Sequence, residues 1–436
     1  MAVPSGVRER LSAADASNVV LDAPDQVNAF LMAGILAPGG PIGADGAADP
    51  AALRVALAAR IPSAPRLSQR VVRDGRHLVW EATEPDLDRH VRLVAPVDGR
   101  AGFEALCARL TVTPLPLDRP LWEVLVVPGV APARVGFVLR IHHAVADGLA
   151  AVRLVGDLLR ADEAQAMTDA AAASVGREAA ASGSGEPSGP TRRGMRARLE
   201  TLASGVERTV AVFRRAVPRT VLLGPIGPRR GVAFVDAPLE ALAAGAATAG
   251  ATVNDALLSA VAAATEATLR TRAEPVPPTL PVSVPVALGR RRGSGNAVGV
   301  MLVPLPTGEA DPARRLRRIA ELTRERKGDA RARGSLELTR SRFGTRLFKR
   351  LVRYQRFIVM FVTNVPGPRH PLALAGAPLE RVWPLAAIQG NVRLGIAALS
   401  YDGMLGCAVH CDADAVPAEV FASALGEEFD RIATLA

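Results

Sequence analysis

The chain has 436 residues, more than one hydrophobic core usually supports, so two domains are expected. Hydrophobic residues make up 49% of it, with 39 Gly and 34 Pro, as in a globular α/β protein rich in turns. The 53 Lys and Arg exceed the 43 Asp and Glu by 10, which favours an anionic partner, but aromatic residues at 4% argue against stacking on nucleic acid bases.

The first 15 residues contain no apolar stretch of the kind found in signal peptides. No segment reaches the roughly 18 consecutive apolar residues of a membrane-spanning helix. The three cysteines, Cys107, Cys407 and Cys411, fit a reducing compartment better than a disulfide framework. We therefore expect a cytoplasmic protein that is soluble or lies on a membrane surface.

The N-terminal half contains two continuous apolar runs, 122–127 and 135–141, which predict buried strands. Residues 147–159 predict a helix, because Leu and Val recur on one face. The segment HHAVADG, residues 142–148, joins the second strand to this helix.

A change of composition separates the two halves of the chain. Residues 163–195 are rich in Ala, Ser, Gly and Pro, which predicts a flexible linker, and a helix is predicted over 196–217. We therefore predict an N-terminal domain over 1–160, a linker with a connecting helix over 161–220, and a C-terminal domain over 221–436.

In the C-terminal half, Asn254 is predicted to cap a helix that runs from Asp255 to about Arg270. Strands are predicted at 280–286, 298–304, 357–363, 392–400 and 405–411. Strands and helices alternate in both halves, which predicts an α/β fold.

The cluster CAVHCD, residues 407–412, contains residue types that bind metals. It lies on a predicted strand, where successive side chains point to opposite faces. Cys407 and Cys411 would then face away from His410. We therefore interpret the cysteines as core residues and predict no metal site.

The HHAVADG loop lies where α/β proteins commonly carry catalytic residues, between a buried strand and a helix. A histidine there titrates near neutral pH and can accept and return a proton. The residues alone leave two interpretations open. The loop is catalytic, or Asp147 only caps the helix and the histidines are ordinary polar loop residues.

Seven segments, in order, resemble one family. They are LSAAD at 11–15, PLDRPLWE at 116–123, HHAVADG at 142–148, VNDALLSAV at 253–261, PVSV at 281–284 with GN at 295–296, TNVPGP at 363–368 and SYDGMLG at 400–406. HHxxxDG is similar to the motif of chloramphenicol acetyltransferase and of peptide-synthetase condensation domains. The whole series most resembles the bacterial wax ester synthase/diacylglycerol acyltransferase family. The resemblance covers nearly the whole chain outside the linker and implies two chloramphenicol-acetyltransferase-like α/β domains with an active-site channel between them.

The resemblance implies transfer of a long-chain acyl group from acyl-CoA to the hydroxyl of diacylglycerol or a long-chain alcohol. It assigns the general base to His143 and a supporting role to His142. It places Asp147 in a structural ion pair with an unidentified arginine, while Gly148 leaves room at the turn. A thioester is already electrophilic, so no covalent nucleophile is needed, and the chain has no GxSxG motif. No cofactor is expected, since acyl-CoA is a substrate.

Candidate donors to the oxyanion of the tetrahedral intermediate are Asn254, Thr363 and Asn364. The alternatives are a helix cap for Asn254 and a turn residue for Asn364. Trp122 is interpreted as structural, with lining of an acyl channel as its alternative.

The segment 340–357 contains seven basic residues and no acidic one, with apolar residues at helical spacing. This pattern predicts an interfacial helix at the inner membrane or at lipid droplets. The alternative is a surface helix packed on its own domain. The basic stretch 208–219 would act with this helix or bind CoA phosphates.

Two other functions remain open at this point. One is a carrier-protein-dependent acyltransferase or condensation enzyme, which predicts a neighbouring carrier domain. The other is a non-catalytic basic protein that binds membrane or nucleic acid. The choice between diacylglycerol and a long-chain alcohol is also open, with a slight preference for diacylglycerol.

Overall fold

The computed structural model describes residues 8–22, 26–146, 154–159, 217–287, 298–333, 353–368 and 370–436. The predicted linker at 163–195, the GN pair at 295–296 and nearly all of the helix predicted at 196–217 lie outside these residues.

The N-terminal half confirms the strands predicted at 122–127 and 135–141. Its strands are Arg8–Arg10 (β1), Ala29–Leu36 (β2), Gln69–Asp74 (β3), His77–Ala82 (β4), Val91–Leu93 (β5), Trp122–Ala131 (β6) and Arg134–His142 (β7). Its helices are Ala13–Leu21 (α1), Pro50–Arg60 (α2), Leu87–His90 (α3) and Gly99–Leu110 (α4), with 3-10 turns at Ile61–Ser63 and Pro65–Ser68. Residues 154–158, within the helix predicted after HHAVADG, are also helical.

The C-terminal half contains all five predicted strands, and the one predicted at 357–363 begins three residues later, at Met360. The strands are Arg230–Pro238 (β8), Leu280–Ala287 (β9), Val298–Leu305 (β10), Met360–Pro366 (β11), Ala373–Leu374 (β12), Ala377–Leu385 (β13), Leu394–Tyr401 (β14) and Met404–Asp412 (β15). The helices are Leu239–Thr248 (α5), Val253–Thr271 (α6), Pro312–Arg333 (α7) and Ala418–Ala433 (α8).

The helix predicted over 340–357 does not include the described residues 353–357, of which 353–354 form a turn and 355–357 are irregular. The side-chain oxygen of Gln355 accepts hydrogen bonds from the backbone N–H groups of Phe357, at 2.9 Å, and Ile358, at 3.1 Å. A side chain that binds these amides competes with helical hydrogen bonding and turns the chain into β11.

The strands form two six-stranded sheets, in the orders β12-β13-β2-β7-β6-β5 and β10-β9-β11-β14-β15-β8, and a small sheet, β1-β4-β3. The first sheet is not built from the N-terminal half alone. β13 comes from the C-terminal half and pairs antiparallel with β2, so that Trp383 lies opposite Ala33. The fold is therefore mixed α/β, and β13 joins its two halves.

A cluster of aromatic and charged residues holds the sheets together. The rings of Phe234, on β8, and Trp383, on β13, stack with centroids 4.5 Å apart. The guanidinium of Arg100, on α4, lies 4.9 Å from the Trp383 ring centroid and forms an ion pair with Asp236 at 3.2 Å. Trp383 Nε1 donates to Asp236 Oδ1 at 2.9 Å. A buried aromatic pair with satisfied polar partners fixes the relative position of the sheets.

Gly406 and Gly367, each in one of the motif segments, allow two stretches of backbone to approach closely near the contact between the sheets. A Cβ at Gly406 would lie 2.1 Å from the carbonyl oxygen of Val382, where β15 passes against β13. A Cβ at Gly367, in TNVPGP, would lie 1.9 Å from the carbonyl oxygen of Ser400. Neither site has room for a side chain, which explains the glycines in these two segments.

The strand register of β15 places the two cysteines of CAVHCD on the face opposite His410, as predicted. Cys407 and Cys411 are buried in the core between the second sheet and its helices. His410 lies on the opposite face, with Nδ1 2.7 Å from the carbonyl oxygen of Ala386. Burial raises the pKa of the Cys411 thiol to about 12.

Within the described ranges, the acidic, histidine and cysteine side chains form no group of three suited to a metal ion. The same part of the chain contains no helix of the length and apolar character needed to cross a bilayer.

Candidate active site

The two histidines lie at the end of the central strand β7, with His142 as its last residue. The next backbone amide, that of His143, donates to the carbonyl oxygen of Asn28 at 3.0 Å. The carbonyl oxygen of His143 accepts a hydrogen bond from Asn18 Nδ2 at 3.1 Å. The N–H of Val145 donates to the carbonyl of His142 at 2.9 Å and closes a turn. The backbone of His143 is therefore fixed on both sides, while its side chain is only half-buried.

The imidazole of His142 is buried beneath this turn. Its Nδ1 accepts a hydrogen bond from the N–H of Ala144 at 3.0 Å, so a neutral ring carries its proton on Nε2. Nε2 lies 3.5 Å from Asp22 Oδ2, and Asp22 Oδ1 accepts from the N–H of Asn28 at 2.7 Å. His142 is thus held by its neighbours in one tautomer and one orientation.

Three residues that support the loop were not identified from the sequence: Asn18, Asp22 and Asn28. Asn28 Nδ2 donates to both the carbonyl and the side-chain oxygen of Asn18 at 3.2 Å. Gln389 Nε2, from the C-terminal half, donates to Asn28 Oδ1 at 3.3 Å. Asn18 lies on α1, the helix that begins in the LSAAD segment, and that motif was the only signal pointing to this region.

The PLDRPLWE segment supports the histidine strand from its other side. The carbonyl of Leu121 accepts a hydrogen bond from the N–H of His142 at 3.0 Å. Trp122 is 2% exposed, stacks on His90 with ring centroids 4.4 Å apart, and donates through Nε1 to the carbonyl of Leu67 at 2.9 Å. These contacts agree with the structural interpretation of Trp122.

Glu123 neutralises a buried arginine two residues before the histidine pair. Its carboxylate contacts Arg140 Nη1 and also accepts from Arg92 Nη2 at 2.9 Å. Arg140 donates its other amino group to the carbonyl of Thr113. Burial lowers the pKa of the Arg140 guanidinium, and the neighbouring Glu123 counteracts this effect. The segment therefore supplies a counter-ion to β7, the strand that ends in the histidine pair.

The other predicted site residues are not all brought together. Asp147 and Gly148 lie outside the described residues, so the predicted ion pair of Asp147 remains a prediction. Thr363 and Asn364 lie on β11 and pair with Ala397 and Ala398 of β14. Ala398 belongs to the hydrophobic core between the second sheet and its helices. Because side chains alternate along a strand, Thr363 is on the face toward the first sheet and Asn364 on the face toward the helices.

The prediction that Asn254 caps α6 is wrong. The helix begins at Val253, and its N-cap is Thr252, whose extended backbone lets the hydroxyl accept from the N–H of Asp255. The Asp255 carboxylate in turn accepts a hydrogen bond from the N–H of Thr252 at 2.9 Å, completing a capping box. Asn254 is the second helical residue and half-buried, and its role as an oxyanion donor stays a prediction.

Two clefts lie between the halves of the chain. One is lined by Arg140, Arg230 and His410 together with Gln26–Val27 and Leu385–Ile388. The other is lined by Met32, Val155, Pro368, Leu372, Leu379, Val382, Leu399 and Tyr401, and each has room for only about 10 Å³ of water-sized space.

Solved structures with this architecture define the class of fold. A wax ester synthase/diacylglycerol acyltransferase from Marinobacter aquaeolei VT8 matches with a TM-score of 0.71 and 21% identity over 97% of this chain and 98% of that one. Trichothecene 15-O-acetyltransferase TRI3 from Fusarium sporotrichioides matches with a TM-score of 0.64 and 12% identity over 100% of this chain and 96% of that one. The first condensation domain of the calcium-dependent antibiotic synthetase matches with a TM-score of 0.60 and 20% identity over 99% of this chain and 96% of that one. The chain has the two-domain fold of chloramphenicol-acetyltransferase-like acyltransferases.

Sequence comparison identifies the family within this class. The model of the wax ester synthase/diacylglycerol acyltransferase catalytic domain matches residues 11–257, and that of the WS/DGAT C-terminal domain matches 294–433. Probable diacylglycerol O-acyltransferase tgs1 of Mycobacterium tuberculosis (strain ATCC 25618 / H37Rv) is 30% identical over 360 residues, 76% of this chain and 75% of its own. A relative from Mycobacterium bovis is 30% identical over 361 residues, 74% of this chain and 72% of its own. The chain belongs to the wax ester synthase/diacylglycerol acyltransferase family, as the motif series predicted.

Proposed function

We propose that this chain transfers a long-chain acyl group from acyl-CoA to the hydroxyl of a lipid acceptor, with His143 as general base. The observation that carries the proposal is the fixed backbone of His143, held by Asn28 on the amide side and by Asn18 on the carbonyl side. A general base must stay within hydrogen-bond reach of the proton that it accepts, and a fixed backbone limits the positions that the imidazole can reach. Membership of the family supports the same activity.

The proposed reaction needs no covalent enzyme intermediate. The acceptor oxygen forms a bond to the thioester carbonyl carbon while His143 accepts the hydroxyl proton. The tetrahedral intermediate then collapses, the C–S bond breaks, and the imidazolium returns its proton to the departing CoA sulfur. The products are an ester and free CoA, and His143 is neutral again. No cofactor enters these steps, and acyl-CoA is a substrate.

His142 is a positioning residue in this mechanism. Its ring is buried, and its Nδ1 already accepts a hydrogen bond from the amide of Ala144. A buried ring with one nitrogen occupied in this way is poorly suited to take a proton from a lipid hydroxyl. Loss of His142 should therefore disturb the loop and have a milder effect than loss of His143.

We favour Thr363 over Asn364 and Asn254 as a donor to the oxyanion. Its side chain lies on the face of β11 toward the first sheet, which carries the histidine loop. A positioned donor to an oxyanion contributes on the order of 10²-fold to the rate. Asp147 and Gly148 keep the roles that the resemblance implies, a structural ion pair and space at the turn.

We favour diacylglycerol as the acceptor and keep a long-chain alcohol as the alternative. The two mycobacterial relatives at 30% identity carry names of diacylglycerol O-acyltransferases, and the Marinobacter protein's name includes both activities. The products would be triacylglycerol or wax ester.

We also propose contact with a cytoplasmic membrane or lipid-droplet surface through 340–357. Two described residues of this segment support the proposal, since Tyr354 is 78% exposed and the neighbouring Arg353 is exposed as well. An exposed aromatic ring beside a basic side chain is typical of proteins that contact a lipid interface.

The experiment that tests the function supplies the purified full chain with palmitoyl-CoA and no acceptor, a diacylglycerol, or hexadecanol. Free thiol and ester product are measured together. We expect thiol release and a matching amount of ester only when an acceptor is present, faster with diacylglycerol. Equal thiol release without acceptor would indicate a thioesterase, and no release with either acceptor would overturn the proposal.

A further inference from the structure

A short loop of the C-terminal half, residues 389–391, lies between β13 and β14 and contacts the N-terminal half. Gln389 Nε2 donates to Asn28 Oδ1 at 3.3 Å, and the N–H of Gly390 donates to Gln26 Oε1 at 3.4 Å. Gly390 has a φ of 69°, in the left-handed region that favours glycine, which lets the chain turn sharply at these contacts. We call residues 389–391 the bridging loop.

The contact with Asn28 joins the bridging loop to the hydrogen bonds that fix His143. Asn28 is 2% exposed, and each of its polar groups is hydrogen-bonded. Its carbonyl accepts the N–H of His143 at 3.0 Å, and its N–H donates to Asp22 Oδ1 at 2.7 Å. Its Nδ2 donates to Asn18, which in turn donates to the carbonyl of His143. Its remaining group, Oδ1, accepts from Gln389, so the support of the base continues into the other half of the chain.

The bridging loop is also fixed to the segment that leads into β11. Asn391 Oδ1 accepts from Gln355 Nε2 at 2.8 Å, and Asn391 Nδ2 donates to the carbonyl of Gln355 at 2.8 Å. Both side chains are buried. Shortly after Asn391 the chain enters β14, which pairs with β11 so that Ala397 lies opposite Thr363. The position of the bridging loop is therefore coupled to that of Thr363, the favoured donor to the oxyanion.

We propose that Gln389 is a positioning residue that sets the distance between His143 and Thr363 by binding Asn28. The inference rests on the proposed function and deepens it. The base follows a strand of one sheet and the oxyanion donor lies on the other, while acyl transfer requires both groups to face one carbonyl group. A hydrogen bond that joins the two supports limits how far the sheets can shift against each other at this end.

An amide is well suited to this contact. Its neutral N–H group can donate to the buried side-chain oxygen of Asn28, whereas a carboxylate of the same shape has only acceptors when ionised. Such a carboxylate would place a negative charge against an oxygen that also accepts. The chemistry of the side chain at position 389, and not only its size, should therefore matter for the position of the base.

The test compares the full-length parent with Gln389→Met, which has a similar length but no N–H donor, and with Gln389→Glu. Gln69→Met is the matched control, because Gln69 is half-buried on β3 and its side-chain oxygen accepts from Arg66 at 2.6 Å. The kcat and the KM for palmitoyl-CoA and for a diacylglycerol are measured for each variant. The Tm shows that each variant is folded.

We expect kcat to fall by about 10-fold in both variants of Gln389, with KM values within about twofold of the parent, because a displaced base slows the chemical step and not substrate binding. Gln69→Met should keep the kcat of the parent. An unchanged kcat in folded Gln389→Met, or a loss equal to that in Gln69→Met, overturns the proposal. A higher KM with an unchanged kcat also overturns it, because Gln389 would then contact substrate.

A double-mutant cycle tests whether Gln389 acts through Asn28. Asn28→Ala retains the backbone carbonyl that binds His143 but removes the side-chain oxygen that binds Gln389. In the Asn28→Ala background, Gln389→Met should lower kcat by less than about twofold, since the two residues act as one unit. A full loss of about 10-fold in that background would contradict a role through Asn28.

A measurement without substrate separates this proposal from the proposed function. In protein isotope-labelled at its histidine rings, the NMR signal of His143 is assigned by its loss in His143→Ala. Gln389→Met should shift this signal and leave that of the exposed His77 unchanged. If the parent shows no acyl transfer, the proposed function fails, and the His143 signal still decides whether Gln389 positions this residue. A His143 signal that is the same in parent and Gln389→Met overturns the positioning role.

Discussion

Nε2 of His142 lies 3.5 Å from Oδ2 of Asp22, and Nδ1 of the same ring accepts the N–H of Ala144. Asp22 also accepts the N–H of Asn28, whose carbonyl receives the N–H of His143. One carboxylate therefore influences both histidines, the first through its ring and the second through its backbone. Such supporting contacts fix the tautomer and the orientation of a histidine.

The first prediction concerns Asp22→Asn. The amide can still accept from the N–H of Asn28 but no longer carries a negative charge opposite His142. We expect kcat to fall by about 10-fold with little change in KM, because a mispositioned base lowers the rate of the chemical step. The control is Asp74→Asn, at an exposed position on β3. A kcat equal to that of the parent would show that the carboxylate does not support the loop.

The second prediction concerns Glu123→Gln, which removes the counter-ion of the buried Arg140. Leaving a buried charge without its partner costs about 3–5 kcal/mol in free energy of unfolding. Glu380→Gln is the control, because the pair of Glu380 with Arg134 is about one-third exposed and should contribute less than about 1 kcal/mol. Urea unfolding monitored by circular dichroism measures both. Similar losses in the two variants would contradict the role assigned to Glu123.

The strands of the fold could largely be predicted from the sequence because buried strands have continuous apolar runs, as at 135–141. The pairing of β13 with β2 could not, because the partner strands are separated by more than 340 residues and no local pattern encodes that contact. The cap of α6 was assigned to Asn254 because Asn is a good capping residue. Thr252, two residues earlier, takes the role together with Asp255.

Long-range contacts in the candidate site were also not predictable from local sequence. The histidine pair could be identified from its motif, but the residues that hold it could not. Asn18, Asp22 and Asn28 are ordinary polar residues: Asn18 and Asn28 form hydrogen bonds to a loop more than 100 residues away, and Asp22 binds the amide of Asn28 and lies 3.5 Å from His142 Nε2.

The third prediction concerns Gly406→Ala. The new Cβ would lie 2.1 Å from the carbonyl oxygen of Val382, so β13 and β15 must move apart. We expect a loss of about 1–3 kcal/mol or more in the free energy of unfolding, as for other overpacked sites. Gly156→Ala is the matched control, because a Cβ there meets nothing within 4 Å and the residue is helical. That variant should be stabilised by about 0.5–1 kcal/mol. Equal Tm values for the two would contradict the packing at Gly406.

The fourth prediction concerns pH and His410. Burial lowers the pKa of His410 from 6.5 to about 4, and the nearby Arg230 acts in the same direction. The unfolded chain therefore binds a proton at His410 below about pH 6.5, whereas the folded chain does so only near pH 4. This difference removes about 2 kcal/mol of stability between pH 7 and pH 5.

The check is the free energy of unfolding of parent and His410→Gln at pH 7 and pH 5. The variant should lose about 2 kcal/mol less than the parent over this interval. His77→Gln is the control, because His77 is exposed. A parent and a His410→Gln variant with the same pH dependence would mean that His410 is protonated alike in both states.

The most direct test of the central claim is the kcat/KM of His143→Ala with palmitoyl-CoA and a diacylglycerol. Only the side chain changes, so the backbone hydrogen bonds to Asn28 and Asn18 are retained and the variant should keep its Tm. Loss of a general base predicts a decrease of about 10²–10⁴-fold. A folded His143→Ala variant within a few-fold of the parent would contradict the assignment of His143 as the base.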